Sequence, residues 1–266
     1  MVIVGELINS SRKPIAQALE ARDEAYLKDL AKRQVEAGAH IIDVNCAIFM
    51  EKEPEVMEWL VGIIQEAVDV PLCIDTPNVA AMEVGLSCHK GRAMINSISG
   101  ETKRWEEMLP LVKKYKPMVV ALCMDDSGMP NSVEDRLRVA DKIVPGLVEA
   151  GIPEEDIYLD PLIKPVGVSS SAAIEVLETT RALKEKYPKV HVISGLSNVS
   201  HGLPVRRVLN RAFAVMCVEA GMDSFIADPL DRHLMSLFFA AEALVGRDKN
   251  CLKYIKASRA GKIVAE

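Results

Sequence analysis

The sequence predicts an eight-stranded parallel (β/α)8 TIM barrel, and three observations support that prediction. Eight short apolar runs of strand length recur along 266 residues, separated by segments long enough for an amphipathic helix. Several of these runs are continuously apolar, as expected for parallel strands, which bury both sheet faces and need a crossover of a dozen or more residues. The length suits a barrel of roughly 250 residues. No linker or low-complexity stretch divides the chain, so residues 1–266 are read as one domain.

Nearly every run ends in a short polar side chain. Val2-Ile3-Val4 leads to Glu6, and Ile41-Ile42 leads to Asp43 and Asn45. Leu72-Cys73-Ile74 ends at Asp75, Ala93-Met94-Ile95 at Asn96, and the run from Met118 through Met124 at Asp125. Ile157-Tyr158-Leu159 ends at Asp160, Val192-Ile193 leads to Ser197 and Asn198, and Phe225-Ile226-Ala227 ends at Asp228. The carboxyl ends of barrel strands form the mouth, so these groups are expected to converge on one cavity. A single such Asp could simply cap a helix. A whole ring of them would carry a large desolvation cost unless a polar ligand or water satisfied it, which favours a heteroaromatic, hydrogen-bonding substrate.

The connections carry their own signals. Arg12 to Ala37 has a broken helical pattern, read as more than one helix, with Pro14 and Asp23 suited to starts or turns. Thr76 is read as an N-cap and Pro77 as the first helical residue, followed by Val79, Met82 and Leu86 at helical spacing. Val-Glu-Ala-Gly occurs three times, ending at Gly38, Gly151 and Gly221, each shortly before an apolar run. These are helix-to-strand corners, where glycine tolerates positive φ. Met124 to Pro130 reads as a turn-rich loop that is either a lid or a plain connection.

Composition narrows the function. A formal net charge of −6 disfavours nucleic acid as a partner. No segment approaches the roughly 20 apolar residues needed to span a bilayer. The start of the chain lacks the pattern of a secretory signal, so the cytoplasm is the expected compartment. The six cysteines show no Cys-x-x-Cys spacing and read as reduced thiols; the five histidines are dispersed, and no metal site is expected. Gly195-Leu196-Ser197 lacks the small-residue elbow of serine hydrolases. Asp231-Arg232-His233 resembles the start of the Asp-x-His-x-x-Gly motif of cobalamin-carrying domains, but Ser236 stands where glycine is required. Lys164, Arg206, Arg207 and Arg211 follow the sixth and seventh runs and could receive an anionic tail, with surface solvation as the default for each.

Five strings occur in order: Gly5-Glu6-Leu7-Ile8-Asn9, Cys73-Ile74-Asp75-Thr76, Ala93-Met94-Ile95-Asn96-Ser97, Leu159-Asp160-Pro161-Leu162-Ile163 and Gly195-Leu196-Ser197-Asn198-Val199-Ser200. Together they resemble the methyltetrahydrofolate:corrinoid methyltransferases. This pterin-binding barrel family includes the acetogenic enzyme acting on the corrinoid/iron–sulfur protein and the folate module of cobalamin-dependent methionine synthase. The resemblance implies methyl transfer between N5 of tetrahydrofolate and the cobalt of a corrinoid carried by a separate protein, and a homodimeric assembly. It implies that Asp75, Asn96 and Asp160 bind the pterin and that Asn198 faces N5 as the catalytic residue. Glu6, Asp43, Asn45, Ser197, Lys164, Arg206 and Arg207 are further candidates for pocket or tail contacts. A pterin edge presents an amino group beside ring N–H groups, and one carboxylate can accept two of these in parallel. Two departures stand out: Leu7 follows Gly-Glu where acetogenic members commonly carry arginine, and the loop after the fifth run is acidic at Asp125 and Asp126. The alternatives are a dihydropteroate synthase-like enzyme, whose Lys/Arg-bearing late-strand signatures are not found, and a non-catalytic folate-binding protein.

Overall fold

The computed structural model describes residues 1–264 and contains the eight expected strands, all parallel. In chain order they are β1 (Val2–Asn9), β2 (Ile41–Asn45), β3 (Leu72–Asp75), β4 (Met94–Ser99), β5 (Met118–Leu122), β6 (Ile157–Asp160), β7 (His191–Val192) and β8 (Ser224–Ala227). Helices α1 (Lys13–Glu20) and α2 (Glu24–Ala37) follow β1. Next come α3 (Glu53–Ala67), α4 (Val79–Cys88), α5 (Thr102–Tyr115), α6 (Val133–Glu149), α7 (Ala172–Lys186) and α8 (Arg206–Ala220), one after each strand from β2 to β7. After β8 lie α9 (Arg232–Leu244) and α10 (Leu252–Arg259). The ladder runs β7-β6-β5-β4-β3-β2-β1-β8. It closes where Gly195 bridges Ile226 and the Ser194 carbonyl accepts the Ile226 N–H at 2.9 Å. No helix among the described residues is long and apolar enough to cross a membrane.

Two apolar compartments hold this shape. Inside the barrel, Val4, Ile41, Cys73, Met94, Val120, Tyr158, Ile193 and Ile226 form a plug to which every strand or its extension contributes. Between sheet and helices, a larger layer packs the opposite strand faces against the apolar helix stripes. Strand side chains alternate with period two, so the next inward positions above the plug are Glu6, Asp43, Asp75, Asn96, Leu122, Asp160, Gly195 and Asp228. Polarity at the mouth thus follows from strand register.

The broken pattern before β2 is two helices. Pro14 lies in the first turn of α1, and the Asp23 side chain caps α2 by accepting the Tyr26 N–H at 3.1 Å. Gly38 (φ 114°) and Gly221 (φ 111°) terminate α2 and α8, and Gly151 follows the end of α6, as the repeated tetrapeptide predicts.

Two expectations are corrected. Helix α4 begins at Val79, not Pro77, and Asn78 caps it, with Oδ1 accepting from the N–H groups of Ala80 (2.9 Å) and Ala81 (3.3 Å). The Thr76 hydroxyl is occupied elsewhere, donating to the buried Glu53 carboxylate and accepting the Asn78 N–H. Strand β5 ends at Leu122, so Asp125 is no strand end. It sits in a turn bridged to Gly128, where it accepts from Ser127 and Arg138. Those bonds hold its carboxyl down at about 2.

Candidate functional site

One part of the mouth is a connected polar group on the adjacent strands β2, β3 and β4. Asp75 and Asn96 are register partners on β3 and β4. From β2, the Asn45 amide donates to Asp75 Oδ2 at 3.0 Å. The other end of that carboxamide accepts from the Ser10 hydroxyl at 2.8 Å and the Ala47 N–H at 3.2 Å, which fixes its orientation. Asp75 is thereby held rigid at one oxygen while the other has no hydrogen bond among the described residues. Asp43 lies deeper, 1% exposed, and its Oδ1 has no hydrogen-bond partner among the described residues.

Burial governs the charges here. It pushes Asp75 up to about 6, with the Asn45 hydrogen bond opposing, the Glu53 charge adding and the Arg104 charge opposing. Asp43 is driven well above the usual carboxylate range by burial and then by the Asp75 charge beside it. Across β5, Asp160 is 8% exposed and its Oδ1 accepts the Leu162 N–H at 2.8 Å. Burial pushes it to about 6 against that bond, the Arg136 charge and the Gly195 N–H.

Asp75, Thr76, Asn96, Ser97, Ser99, Arg104 and Leu122 line an open cleft at the β3–β5 side. A second cleft on the far side of the mouth is lined by Glu6, Arg12, Ser197, Arg206, Arg207, Asp228 and Asp231. There Glu6 accepts from Arg12 at 2.8 Å and from the Ser197 hydroxyl at 3.0 Å; burial outweighs these bonds and raises its carboxyl. Arg206 donates to the Ser197 carbonyl at 2.6 Å and to the Ser200 hydroxyl at 3.1 Å, bracing the 3-10 turn Leu196–Ser200. Asn198 lies on that turn with its side chain exposed, its Nδ2 directly over Gly195. A Cβ at residue 195 would come within 3.0 Å of that nitrogen, so glycine leaves the carboxamide room. Asn198 makes no side-chain hydrogen bond among the described residues, so both ends of its amide are available.

The basic candidates separate. Arg206 and Arg207 share the second cleft. Lys164 instead donates to Asn131 at 3.0 Å on the β6 side of the rim, and Arg211 is committed to a two-pronged pair with Asp231 at 2.6 and 3.0 Å. Neither lines the two clefts described above.

Two arginines that the sequence reading assigns no role stand behind the acids. Arg136 on α6 is fully buried and donates to the carbonyls of Pro161 (2.6 Å), Ser132 (2.9 Å) and Leu162 (3.4 Å). It thus anchors the chain immediately after Asp160. Arg104 on α5 makes similar bonds behind Asp75 and Asn96. Main-chain carbonyls leave no mark in a sequence, so no motif announces either residue. Among the described residues no cluster of three or more His, Cys, Asp or Glu could hold a metal ion. Cys46, Cys73, Cys123 and Cys217 are buried free thiols, with burial pushing Cys46 to about 12.

A parallel barrel with hydrogen-bonding carboxylates and an amide gathered at its mouth is the framework of a pterin enzyme. Residues 5–228 match the profile of the pterin binding enzymes, and the chain belongs to that family. Within it, the chain is 36% identical over 265 residues to the methylcorrinoid:tetrahydrofolate methyltransferase of Eubacterium limosum, covering 99% of this chain and 98% of that protein. It is also 30% identical over 240 residues to methionine synthase of Mycobacterium leprae, matching 85% of this chain but 20% of that longer protein. Solved dihydropteroate synthases share the fold. That of Xanthomonas albilineans aligns with TM-score 0.70 at 19% identity over 93% of this chain and 92% of its own. That of Yersinia pestis aligns with TM-score 0.65 at 20% identity over 91% and 92%. At such identities these likenesses speak for the fold alone.

Proposed function

We propose that this protein transfers a methyl group between N5 of tetrahydrofolate and the cobalt of a corrinoid carried by a separate protein. The observation that carries this reading is the near-full-length likeness to the Eubacterium limosum methylcorrinoid:tetrahydrofolate methyltransferase, in a chain that sets Asp75 and Asn96 side by side in one cleft of the mouth and Asp160 at the end of β6, beside Leu122 of that cleft. Tetrahydrofolate and the corrinoid are both substrates, the first a small molecule and the second presented by its protein. A homodimer is the accompanying assembly.

In this reading Asp75 and Asp160, ionised, accept the amino and ring N–H groups along the pterin edge. Asn96 both donates and accepts, which suits the mixed part of that edge. Asn198 faces N5. When the methyl group leaves N5, that nitrogen departs as an amine and needs a proton or a hydrogen bond as the C–N bond breaks. When N5 instead receives the methyl group, its developing positive charge needs a dipole. A neutral carboxamide serves both directions without trapping the nitrogen in a salt bridge. A hydrogen bond to a charged group contributes about 1.5–3 kcal/mol, and each 1.36 kcal/mol is about tenfold in rate. Asn198→Ala is therefore expected to slow methyl transfer roughly ten- to a few-hundred-fold, with tetrahydrofolate binding changed less. Single-turnover rates that match the unsubstituted protein would rule out this role.

The same groups set a pH dependence. Asp75 and Asp160 are both raised to about 6, so each loses its acceptor charge as pH falls through that value. Tetrahydrofolate affinity should be full above pH 7 and decline below about 6, tracked by calorimetric titration across pH. An affinity flat from pH 8 to 5 would contradict the ionised-carboxylate reading.

The function itself is tested by mixing the protein with a panel of corrinoid proteins, starting once from methyltetrahydrofolate with reduced corrinoid and once from methylated corrinoid with tetrahydrofolate. A visible-spectrum change of the corrinoid matched by gain or loss of methyltetrahydrofolate is the expected result. No conversion from either end with any partner would refute it.

A further inference from the structure

We propose that Arg104 is the positioning residue for the pterin-edge pair Asp75 and Asn96, holding their two strand exits together through main-chain carbonyls. The inference rests on the pterin reading of those two residues and adds to it the device that sets their spacing.

The need for such a device follows from the ladder. Strand β3 and its pairing with β4 stop at Asp75 and Asn96, and immediately beyond Asn96 the β4 strand shifts register against β5 on its other side. One further backbone bond, from the Thr76 N–H to the Asn96 carbonyl at 3.1 Å, continues the join. Past it the guanidinium of Arg104, from the first turn of α5, links the exits. It donates through Nε and Nη2 to the Ser97 carbonyl (3.0 and 2.8 Å), through Nη2 to the Thr76 carbonyl (3.1 Å) and through Nη1 to the Pro77 carbonyl (2.7 Å). A rigid planar fork with several donors can span two chains in this way, whereas an ammonium is a single point donor.

The placement is costly for a merely structural bolt. Arg104 is half-buried, burial lowers its proton affinity, and no carboxylate pairs with it within 4 Å among the described residues. Its charge acts on Glu107, on Glu101 and on Asp75, where it lowers the carboxyl in the same direction as the Asn45 hydrogen bond. Glu53 raises Asp75, and Asp43 lies beside it as a further buried acid, with Asn45 as the one neutral partner. Arg104 therefore fixes where Asp75 and Asn96 stand and helps keep Asp75 ionised at neutral pH.

The experiment compares the full chain with R104Q and R104K by thermal melting, by carbon NMR titration of the Asp75 carboxyl, and by equilibrium binding of tetrahydrofolate. Both variants should bind roughly tenfold or more weakly, as expected for recognition groups displaced by about an ångström. The Asp75 midpoint should rise in R104Q, which lacks the cation, and stay near its original value in R104K, which keeps it. Lowered melting with an unmoved Asp75 midpoint and unchanged affinity marks a purely structural arginine and overturns the proposal. If R104Q does not fold, R104K decides: original affinity in that variant overturns it, and weakened affinity supports it. Should the unsubstituted protein itself not bind tetrahydrofolate, the functional reading fails. The Asp75 midpoint then still reports on Arg104, and an equal midpoint in R104Q counts against it.

Discussion

Replacing Asp75 with asparagine is expected to weaken tetrahydrofolate binding about 10²- to 10⁴-fold, the loss of two charge-assisted hydrogen bonds at about 1.5–3 kcal/mol each. The substitution keeps the shape of the side chain and reverses half of its chemistry. The Asn45 amide already donates to one oxygen at 3.0 Å, so an asparagine at residue 75 must keep its carbonyl there. Its own NH₂ then points outward, donor against donor, toward the pterin edge. Stability should move the other way. Asp75 is a half-buried acid beside Asp43 and Glu53, its carboxyl raised to about 6 first by desolvation and then by the Glu53 charge, and a neutral amide removes both costs at neutral pH. Calorimetric binding together with denaturant unfolding checks both halves. A variant that binds tetrahydrofolate normally would remove Asp75 from the site.

Arg136→Leu is expected to cost about 3–5 kcal/mol of folding stability, the range found when one member of a buried charge pair is removed. The side chain is fully buried, and three carbonyls, from Ser132, Pro161 and Leu162, depend on it. Its ion pair with Glu175 spans 3.5 Å, and the Glu175 oxygen in that pair is buried without any other hydrogen bond. Leucine fills the space but strands all four acceptors. Urea unfolding of R136L, E175L and the double variant forms a cycle in which removing both charges should recover part of the loss. Leu162 has φ 62° and donates its N–H to Asp160, so loosening this segment should also loosen Asp160. A loss below about 1 kcal/mol, the scale of an exposed ion pair, would show that the buried arginine is dispensable.

The barrel was legible because parallel strands are buried on both faces, and runs such as Leu72-Cys73-Ile74 carry that burial in their composition. Asp23, Pro14 and the repeated glycine corners were legible because capping chemistry is local. Less visible was whatever depends on a distant partner. Thr76 reads as a helix cap until Glu53, 23 residues earlier, takes its hydroxyl and leaves the capping to Asn78. The run from Met118 to Met124 overstates β5 because Cys123 stays buried after the strand has ended, while Arg138 draws Asp125 into a turn. The ring of polar strand ends was readable residue by residue. The grouping of Asn45 and Asp75 on one side, and of Glu6 with Ser197 on the other, came only with the closed ladder. Lys164 and Arg206 look alike in sequence, yet only Arg206 reaches a cleft at the mouth.

The most direct test of the account is a crystal structure of the protein with tetrahydrofolate bound. It should show the pterin edge on Asp75, Asn96 and Asp160, with N5 turned toward the Asn198 carboxamide. A pterin bound away from the mouth, or seated there with Asn198 out of reach of N5, would contradict it.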